Sequence, residues 1–83
     1  MKLELGKYLK EQRQSVGLTQ KDLSDHFRFS TAQFVSNVER DLAVIPRDKL
    51  SEWLRLIGAN KTKVFKAMVQ KYEADLKQDM RLK

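Results

Sequence analysis

The sequence contains no cysteine, a single histidine and no long apolar run, and each of these absences removes a class of protein. Without cysteine there is no disulfide framework, and one histidine leaves no ligand cluster for zinc. No stretch approaches the ~20 apolar residues of a membrane span, and charges interrupt the first residues, unlike a signal peptide. We therefore expect a cytoplasmic protein with no metal, no cofactor, no small-molecule ligand and no membrane contact.

Catalytic constellations are missing as well. His26 has no cysteine nucleophile, serine elbow or carboxylate pair arranged around it, and the three glycines form no phosphate-binding loop. We interpret His26 as a solvated side chain and expect that the protein is not an enzyme.

Length and charge set the next limits. With 83 residues, the chain should form one domain over residues 1–83, with one modest core. Its net charge of +6 suits a polyanionic partner, but the charge is unevenly distributed. Residues 60–83 carry seven basic and three acidic side chains, whereas residues 18–41 carry three basic and four acidic ones. Charge alone therefore does not separate nucleic-acid binding from a merely soluble surface.

Helix signals follow one another along the chain, and no alternating strand pattern exceeds a few residues, which predicts an all-α domain of five helices. Glycine after a helix, and Thr, Ser, Asn or Pro before one, give the expected boundaries. These signals are Gly17 after the first helix, Thr19 with Asp22 at the second, Ser30 or Thr31 at a third that reaches about Asp41, Pro46 and Gly58 around the fourth, and Asn60 before a fifth that reaches about Met80.

The third predicted helix has two different faces when its residues are placed at about 100° intervals. Its polar face carries amide and hydroxyl groups, and an amide can pair with adenine in the major groove. This pattern is typical of a helix that reads bases, and a solvated face without lysine is the alternative. The inward side holds Thr31, Val35, Val38, Glu39 and Leu42, and the polar side holds Gln33, Ser36, Asn37 and Arg40, with Phe34 on the flank.

The segment LTQKDLSDHF, followed by STAQFVSNVER and then by Pro46, resembles the helix-turn-helix domain of the Cro and phage-repressor family, the Xre-type regulators of bacteria. The resemblance covers residues 5–70. It implies a Cro/repressor-like fold with an extended C-terminal helix. It also implies a transcriptional repressor that reads a palindromic operator in the major groove of double-stranded DNA.

The resemblance also implies roles for individual residues. Gln33 and Asn37 would contact bases. Phe34 would contact a thymine methyl or pack at the rim of the core, and its apolar ring favours the core. Gln20 would bind a phosphate and brace the recognition helix. Contacts to phosphates or to the edge of the groove would come from Gln20, Lys21, Thr31, Ser36, Arg40 and Arg47.

Glu39 needs a separate explanation, because an unpaired carboxylate on the inward side of a helix is costly. The resemblance implies a structural ion pair with Arg13 on the first helix, and a solvated Glu39 is the alternative. Three positions depart from the family pattern. Arg28 and Asp41 stand where glycine is frequent, and Ser24 stands where alanine is usual.

The fifth predicted helix would be roughly 30 Å long, about the diameter of the whole domain. It carries an apolar stripe to its end, so a homodimer is expected to cover the part that projects, and a frayed end is the alternative. Such a dimer would place two recognition helices about 34 Å apart, as a palindromic operator requires. Phe65, Met68 and Val69 are expected in the core, and Tyr72, Leu76 and Met80 in the dimer interface.

A second function remains open from the sequence. An antitoxin-like or adaptor protein could use the helix-turn-helix fold mainly to bind another protein. The acidic balance of residues 18–41 and the apolar stripe of the last helix favour protein binding, whereas the polar face of the third helix favours DNA.

Overall fold

Five helices make up the regular structure of the residues that the structure describes. The computed structural model describes residues 3–81, and over this range the fold is all-α, with no strand. The predicted number of helices and the extended C-terminal helix are confirmed. In chain order the helices are α1 (Leu5–Ser15), α2 (Gln20–His26), α3 (Gln33–Glu39), α4 (Arg47–Ile57) and α5 (Lys61–Asp79).

Two of the five helices, α2 and α5, begin where a local side chain satisfies a free backbone group. At α2, the Thr19 hydroxyl accepts the N–H of Asp22 at 3.0 Å, and the Asp22 carboxylate accepts the N–H of Thr19 at 2.8 Å, which completes the predicted capping box. Asn60 accepts a first-turn N–H of α5 at 3.0 Å. Gly17 after α1 and Gly58 after α4 adopt the left-handed conformation, as predicted.

The start of α3 differs from the prediction. Neither Ser30 nor Thr31 caps the helix. Ala32 is in the capping position and the helix begins at Gln33, one residue later than a Thr31 cap and two residues later than a Ser30 cap would give. The Thr31 hydroxyl instead accepts the N–H of Gln33 at 3.2 Å within the preceding turn. The connection between α2 and α3 is therefore longer than the sequence pattern indicated.

The end of α3 is also earlier than predicted. The helix stops at Glu39 and not at Asp41, because Asp41 adopts φ 60° and turns the chain away. Arg28, after α2, adopts the same left-handed conformation. Both are the positions where the resembled family often has glycine. Leu42, which was expected to face inward, is beyond the helix and 65% exposed.

A single hydrophobic core lies between the helices, with Trp53 of α4 at its centre. The Trp53 ring is completely buried and stacks on Phe27 at a centroid distance of 5.4 Å. Each fully buried large apolar side chain contributes roughly 1.5–3 kcal/mol. The buried apolar residues are Leu9, Leu23, Val35, Val38, Ile45, Trp53, Leu54, Ile57, Val64 and Ala67.

Helix α1 crosses the end of α3 at very short range. A Cβ atom on Gly6 would lie 2.5 Å from the carbonyl oxygen of Glu39, so only glycine fits there. Asp41 Oδ1 accepts the N–H of Gly6 at 3.1 Å. Farther along α1, the Tyr8 hydroxyl accepts the N–H of Asn60 at 2.9 Å. Helix α1 is thereby attached both to the end of α3 and to the start of α5.

Helix α5 buries a different face from the one predicted. Its buried residues are Val64 and Ala67, with Met68 half-buried, whereas Phe65 is 67% exposed and Val69 is 46% exposed. The expectation that Phe65 and Val69 complete the core is therefore wrong. All residues after Met68 in this helix are exposed, including the expected dimer residues Tyr72, Leu76 and Met80.

Candidate nucleic-acid interface

Helix α3 buries one face and leaves the predicted polar face accessible. Val35 and Val38 are at most 3% exposed, so the helix is anchored by its apolar side. Because α3 has only seven residues, most of its outer surface is supplied by three side chains, and the residue that follows the helix extends this surface. The three are Gln33, Ser36 and Asn37, the following residue is Arg40, and all four are exposed or half-exposed.

Gln33 and Asn37 form an amide pair on this outer face. Gln33 Nε2 donates a hydrogen bond to Asn37 Oδ1 at 2.8 Å, as residues four apart on a helix can do. Gln33 keeps its acceptor oxygen and one N–H, and Asn37 keeps both N–H groups. An acceptor beside a donor matches the major-groove edge of adenine. The amide pair is thus ordered before any ligand is present.

Phe34 belongs to an aromatic cluster beneath this face. Its ring lies 5.0 Å from that of Phe29 and 6.4 Å from that of Trp53, measured between centroids. The side chain is half-buried, which supports the interpretation that it packs at the rim of the core. Such edge contacts between aromatic rings fix the flank of α3.

A buried ion pair joins α3 to α1, as predicted. Arg13 Nε donates to Glu39 Oε2 at 2.7 Å, Arg13 Nη2 donates to Glu39 Oε1 at 3.0 Å, and the two side chains are 7% and 2% exposed. Arg13 Nη1 donates to the carbonyl oxygen of Leu18 at 2.7 Å. Within residues 3–81, no buried side-chain nitrogen or oxygen lacks a partner. A satisfied bidentate pair holds two helices in one relative orientation.

Gln20 extends this network to α2. Its Nε2 donates to Glu39 Oε1 at 3.0 Å, so the carboxylate of Glu39 receives bonds from α1 and from α2. This bond agrees with a bracing role for Gln20, although the braced group is the ion pair. The oxygen and the second N–H of the Gln20 amide stay available to a phosphate.

The basic side chains expected at phosphates differ in their surroundings. Lys21 Nζ lies 2.9 Å from Asp25 Oδ2, and this hydrogen bond raises the pKa of Lys21. Because an exposed ion pair is weak, it opposes a competing phosphate only slightly. Arg40, which follows α3, and Arg47, which begins α4, are exposed and have no ion-pair partner within residues 3–81.

The acidic residues of the α2–α3 region are all engaged within the chain. Asp22 caps α2, where the bonds from Thr19 lower its pKa, and Asp25 pairs with a lysine. Glu39 is in the buried ion pair, and Asp41 accepts from the first turn of α1. Of these four acidic residues, whose excess favours a protein partner in the sequence, Asp25 and Glu39 have cationic partners, whereas Asp22 and Asp41 accept backbone N–H groups and keep their charge.

Two residues that support the interface were not identified from the sequence. Ser24 of α2 is 1% exposed, and its hydroxyl donates to the carbonyl oxygen of Thr31 at 2.6 Å, which fixes the turn before α3. Gly6 provides the close approach of α1 to α3. A serine at an alanine-like position and a glycine within a helical pattern were the available signals, but their partners are set by the tertiary fold.

His26 lies away from these groups and links α2 to α4. Its Nε2 is 3.1 Å from Glu52 Oε2, and Glu52 Oε1 also accepts a bond from Arg55 Nε at 2.7 Å. The Arg55 bond, with a smaller contribution from His26, lowers the pKa of Glu52 from 4.5 to about 2. His26 is 42% exposed, in agreement with a solvated side chain.

No protein-family model matches the chain, and no curated protein or solved structure matches it either. Within residues 3–81, no three His, Cys, Asp or Glu side chains are grouped so that they could hold a metal ion. None of the helices in the described range combines the length and the apolar character that a bilayer crossing requires.

Proposed function

We propose that the protein is a sequence-specific DNA-binding regulator, a repressor of the Cro and phage-repressor type. In this proposal α3 lies in the major groove and its outer face reads base edges. The single observation that carries the proposal is the ordered amide pair of Gln33 and Asn37 on a helix whose opposite face is completely buried.

The support for α3 strengthens this proposal. A base-reading helix must be held in one orientation, because hydrogen bonds to base edges depend on position and angle. The ion pair of Arg13 and Glu39, the bond from Gln20 and the bond from Ser24 to Thr31 connect α3 and its turn to two other helices. None of these contacts uses a side chain of the outer face of α3, apart from the hydrogen bond within the amide pair itself.

In the same proposal the protein acts as a homodimer on a palindromic operator, in the cytoplasm and on the nucleoid. Two-fold symmetry in the protein matches two-fold symmetry in the DNA site. Tyr72, Leu76 and Met80 are accessible for such a contact, since all three are exposed on α5.

Selection of bound sequences from random DNA tests the proposal, and a palindromic consensus is the expected result. On the selected site, Gln33→Ala and Asn37→Ala should each weaken binding by about 1–3 kcal/mol, because the lost groups contact base edges, while non-specific binding stays the same. Arg47→Ala should weaken both kinds of binding and reduce the salt dependence by roughly one phosphate contact. Affinity titrations at several salt concentrations give both quantities.

Gln14→Ala is the matched control, since Gln14 is an exposed glutamine on α1. It should bind as the unmodified protein does. Enrichment of no sequence would remove the proposal. An unchanged ratio of specific to non-specific binding in Gln33→Ala would show that α3 does not read bases with this residue.

The second candidate function is a protein-binding module built on the same fold. The observation in its favour is the set of large apolar side chains left exposed on α5 and beside it, including Phe65 and Val44. Contiguous exposed apolar surface marks interaction sites. If random DNA gave no consensus while the isolated protein remained monomeric, this candidate would be preferred.

A further inference from the structure

An apolar groove runs along one side of α5. We call it the α5 groove; it has a volume of about 720 Å³ and lies between α5, the first half of α4 and the segment that joins α3 to α4. Arg47, Lys61 and Lys71 are at its rim. Covering an apolar groove of this kind with another apolar surface removes it from water, which is energetically favourable. Its apolar lining includes Ala43, Val44, Leu50, Phe65, Val69 and Tyr72.

The apolar stripe of α5 forms one wall of this groove and continues beyond it. The stripe consists of Phe65, Val69, Tyr72, Leu76 and Met80, which lie on one side of the helix at about 100° per residue. The first three line the groove, and the last two lie past its end. In a single copy of the chain, one end of the stripe therefore lines an apolar groove, and the other end is an uncovered apolar ridge.

The projecting part of α5 lacks support within one copy. After Met68 all described residues of the helix are exposed, so no residue of its second half is buried in the core. Isolated helices shorter than about 12–15 residues are marginal in water. An apolar ridge on such a segment gains stability only when a partner covers it.

We infer that a second copy of this chain covers the stripe, with the two α5 helices antiparallel and the two-fold axis between Tyr72 and Glu73. A two-fold contact maps the same surface onto itself. Because the stripe runs from Phe65 to Met80, complete mutual coverage places the axis at its midpoint. Leu76 then lies opposite the partner's Val69, and Met80 lies opposite the partner's Phe65, at the α5 groove. This inference deepens the homodimer of the proposed function and rests on it.

The available area approaches that of a standard interface. Phe65, Tyr72 and Met80 are each about two thirds exposed, and so is Val44, which lines the groove. With Val69 and Leu76, and with about 150–250 Å² for a large side chain, these residues present roughly 600 Å² per copy, against the ~800 Å² per partner of a standard interface.

Charge also favours the antiparallel arrangement over a parallel one. The first turns of α5 carry Lys61, Lys63 and Lys66, and the acidic residues of the helix, Glu73, Asp75 and Asp79, lie in its second half. An antiparallel pair sets these lysines beside the partner's acidic half, whereas a parallel pair would set them beside the partner's lysines.

Disulfide trapping tests this register, because the chain has no cysteine and an introduced one is the only thiol. A disulfide needs Cβ atoms about 3.5–4.5 Å apart. Tyr72→Cys should form a cross-linked dimer by itself. Phe65→Cys mixed with Met80→Cys should form the mixed disulfide, and each alone should cross-link poorly. Gln70→Cys is the control, since Gln70 is exposed on the opposite side of α5, and it should stay uncross-linked.

Efficient cross-linking of Phe65→Cys with itself and of Met80→Cys with itself would mean a parallel pair and would overturn the inference. Equal cross-linking of Gln70→Cys would show random collision, with the same consequence. Sedimentation provides an independent measurement: the unmodified protein should be dimeric at tens of micromolar, and Tyr72→Glu or Leu76→Glu should be monomeric with an unchanged helical spectrum. A monomeric unmodified protein would overturn the inference.

These experiments can contradict the proposed function or the proposed pairing of the α5 helices independently of each other. A dimer with this register that enriches no DNA sequence would leave the pairing in place and remove the proposed function. A palindromic consensus from a protein that cross-links only in other combinations would leave the function and remove this register.

Discussion

At the scale of single residues, Glu39 has the most demanding position in the protein. Its carboxylate is buried, and it accepts hydrogen bonds from Arg13 and from Gln20, so both oxygens are used. The cost of removing this charge from water is offset only because each partner is present. Loss of any partner leaves a buried group without compensation.

The ion pair should therefore respond strongly to single substitutions. Arg13→Met and Glu39→Gln should each lower the free energy of unfolding by roughly 3–5 kcal/mol, because each leaves a buried group unpaired. The double variant should recover part of that loss. Urea unfolding of the four proteins in a double-mutant cycle gives the coupling.

Glu52→Gln and Arg55→Met provide the matched control for this cycle. Their pair has a similar distance of 2.7 Å, but the side chains are 39% and 62% exposed, so changes below about 1 kcal/mol are expected. Small and additive effects at Arg13 and Glu39 would mean that the buried pair is not formed in solution.

At the scale of helices, signals from neighbouring residues predict most helix ends, whereas features set by contacts between helices are not predicted from the sequence. Thr19, Asn60, Gly17 and Gly58 mark helix ends in the structure because capping depends on neighbouring residues. The start of α3 lies one or two residues beyond the predicted start, because the turn before it is fixed by the hydrogen bond from Ser24 of α2, a contact between elements.

The inward face of α5 shows a limit of hydrophobic periodicity. The helix carries two apolar surfaces, one with Val64 and Ala67 and one with Phe65 and Val69. The second surface is longer, and its periodicity predicts that it faces the core. The core instead covers the smaller side chains of the first surface, where α5 packs closely. A period of 3.6 locates apolar stripes and does not say which one the rest of the chain covers.

In the candidate site, too, local features are predicted from the sequence and contacts between helices are not. The polar face of α3 followed from spacing alone, whereas the pairing of Arg13 with Glu39 came only from the family resemblance. The bond from Gln20 to the ion pair and the close approach at Gly6 depend on how three helices cross, so no local pattern encodes them.

The crossing of α1 and α3 gives a prediction at this scale. Glycine to alanine inside a helix ordinarily stabilises by about 0.5–1 kcal/mol. Gly6→Ala should instead destabilise by roughly 1–3 kcal/mol, because the new Cβ meets the backbone of Glu39 and the helices must separate. Thermal or urea unfolding measures the sign directly.

Lys10→Ala serves as the control, since Lys10 is exposed on the same helix and alanine there costs little. Stabilisation by Gly6→Ala would show that α1 and α3 lie farther apart than the structure describes.

At the scale of the whole molecule, shape and charge act together. The described residues extend over 41 × 25 × 20 Å, and the full chain has a net charge of +6. Acid increases this positive charge as carboxylates take up protons, and self-repulsion then opposes the compact state. A carboxylate that stays ionised in the folded protein but takes up a proton in the unfolded chain adds to this loss of stability as pH falls.

Glu52 should therefore make the stability of the protein depend on pH in the acid range. Its pKa in the folded protein is about 2 against 4.5 ordinarily, chiefly because of the bond from Arg55. A depressed folded pKa gives stability that is complete above 4.5 and is lost as pH falls towards 2. Urea midpoints between pH 6 and pH 2 should decline less steeply at first in Glu52→Gln, which lacks this contribution.

Added salt should reduce the difference between the two proteins, because the groups are exposed and screened. Glu11→Gln, at an exposed position on α1, should keep the pH profile of the unmodified protein. Identical profiles for Glu52→Gln and the unmodified protein would show that the bond with Arg55 does not persist in solution.

The position of Trp53 has an optical consequence. It is the only tryptophan of the chain, its ring is fully enclosed, and it touches the aromatic side chains that lead to α3. Its fluorescence emission reports whether the core is intact, and the stripe of α5 contains no second tryptophan that would add to this emission. Light scattering follows the number of copies in the particle. One unlabelled sample can thus distinguish two copies that separate from a core that melts.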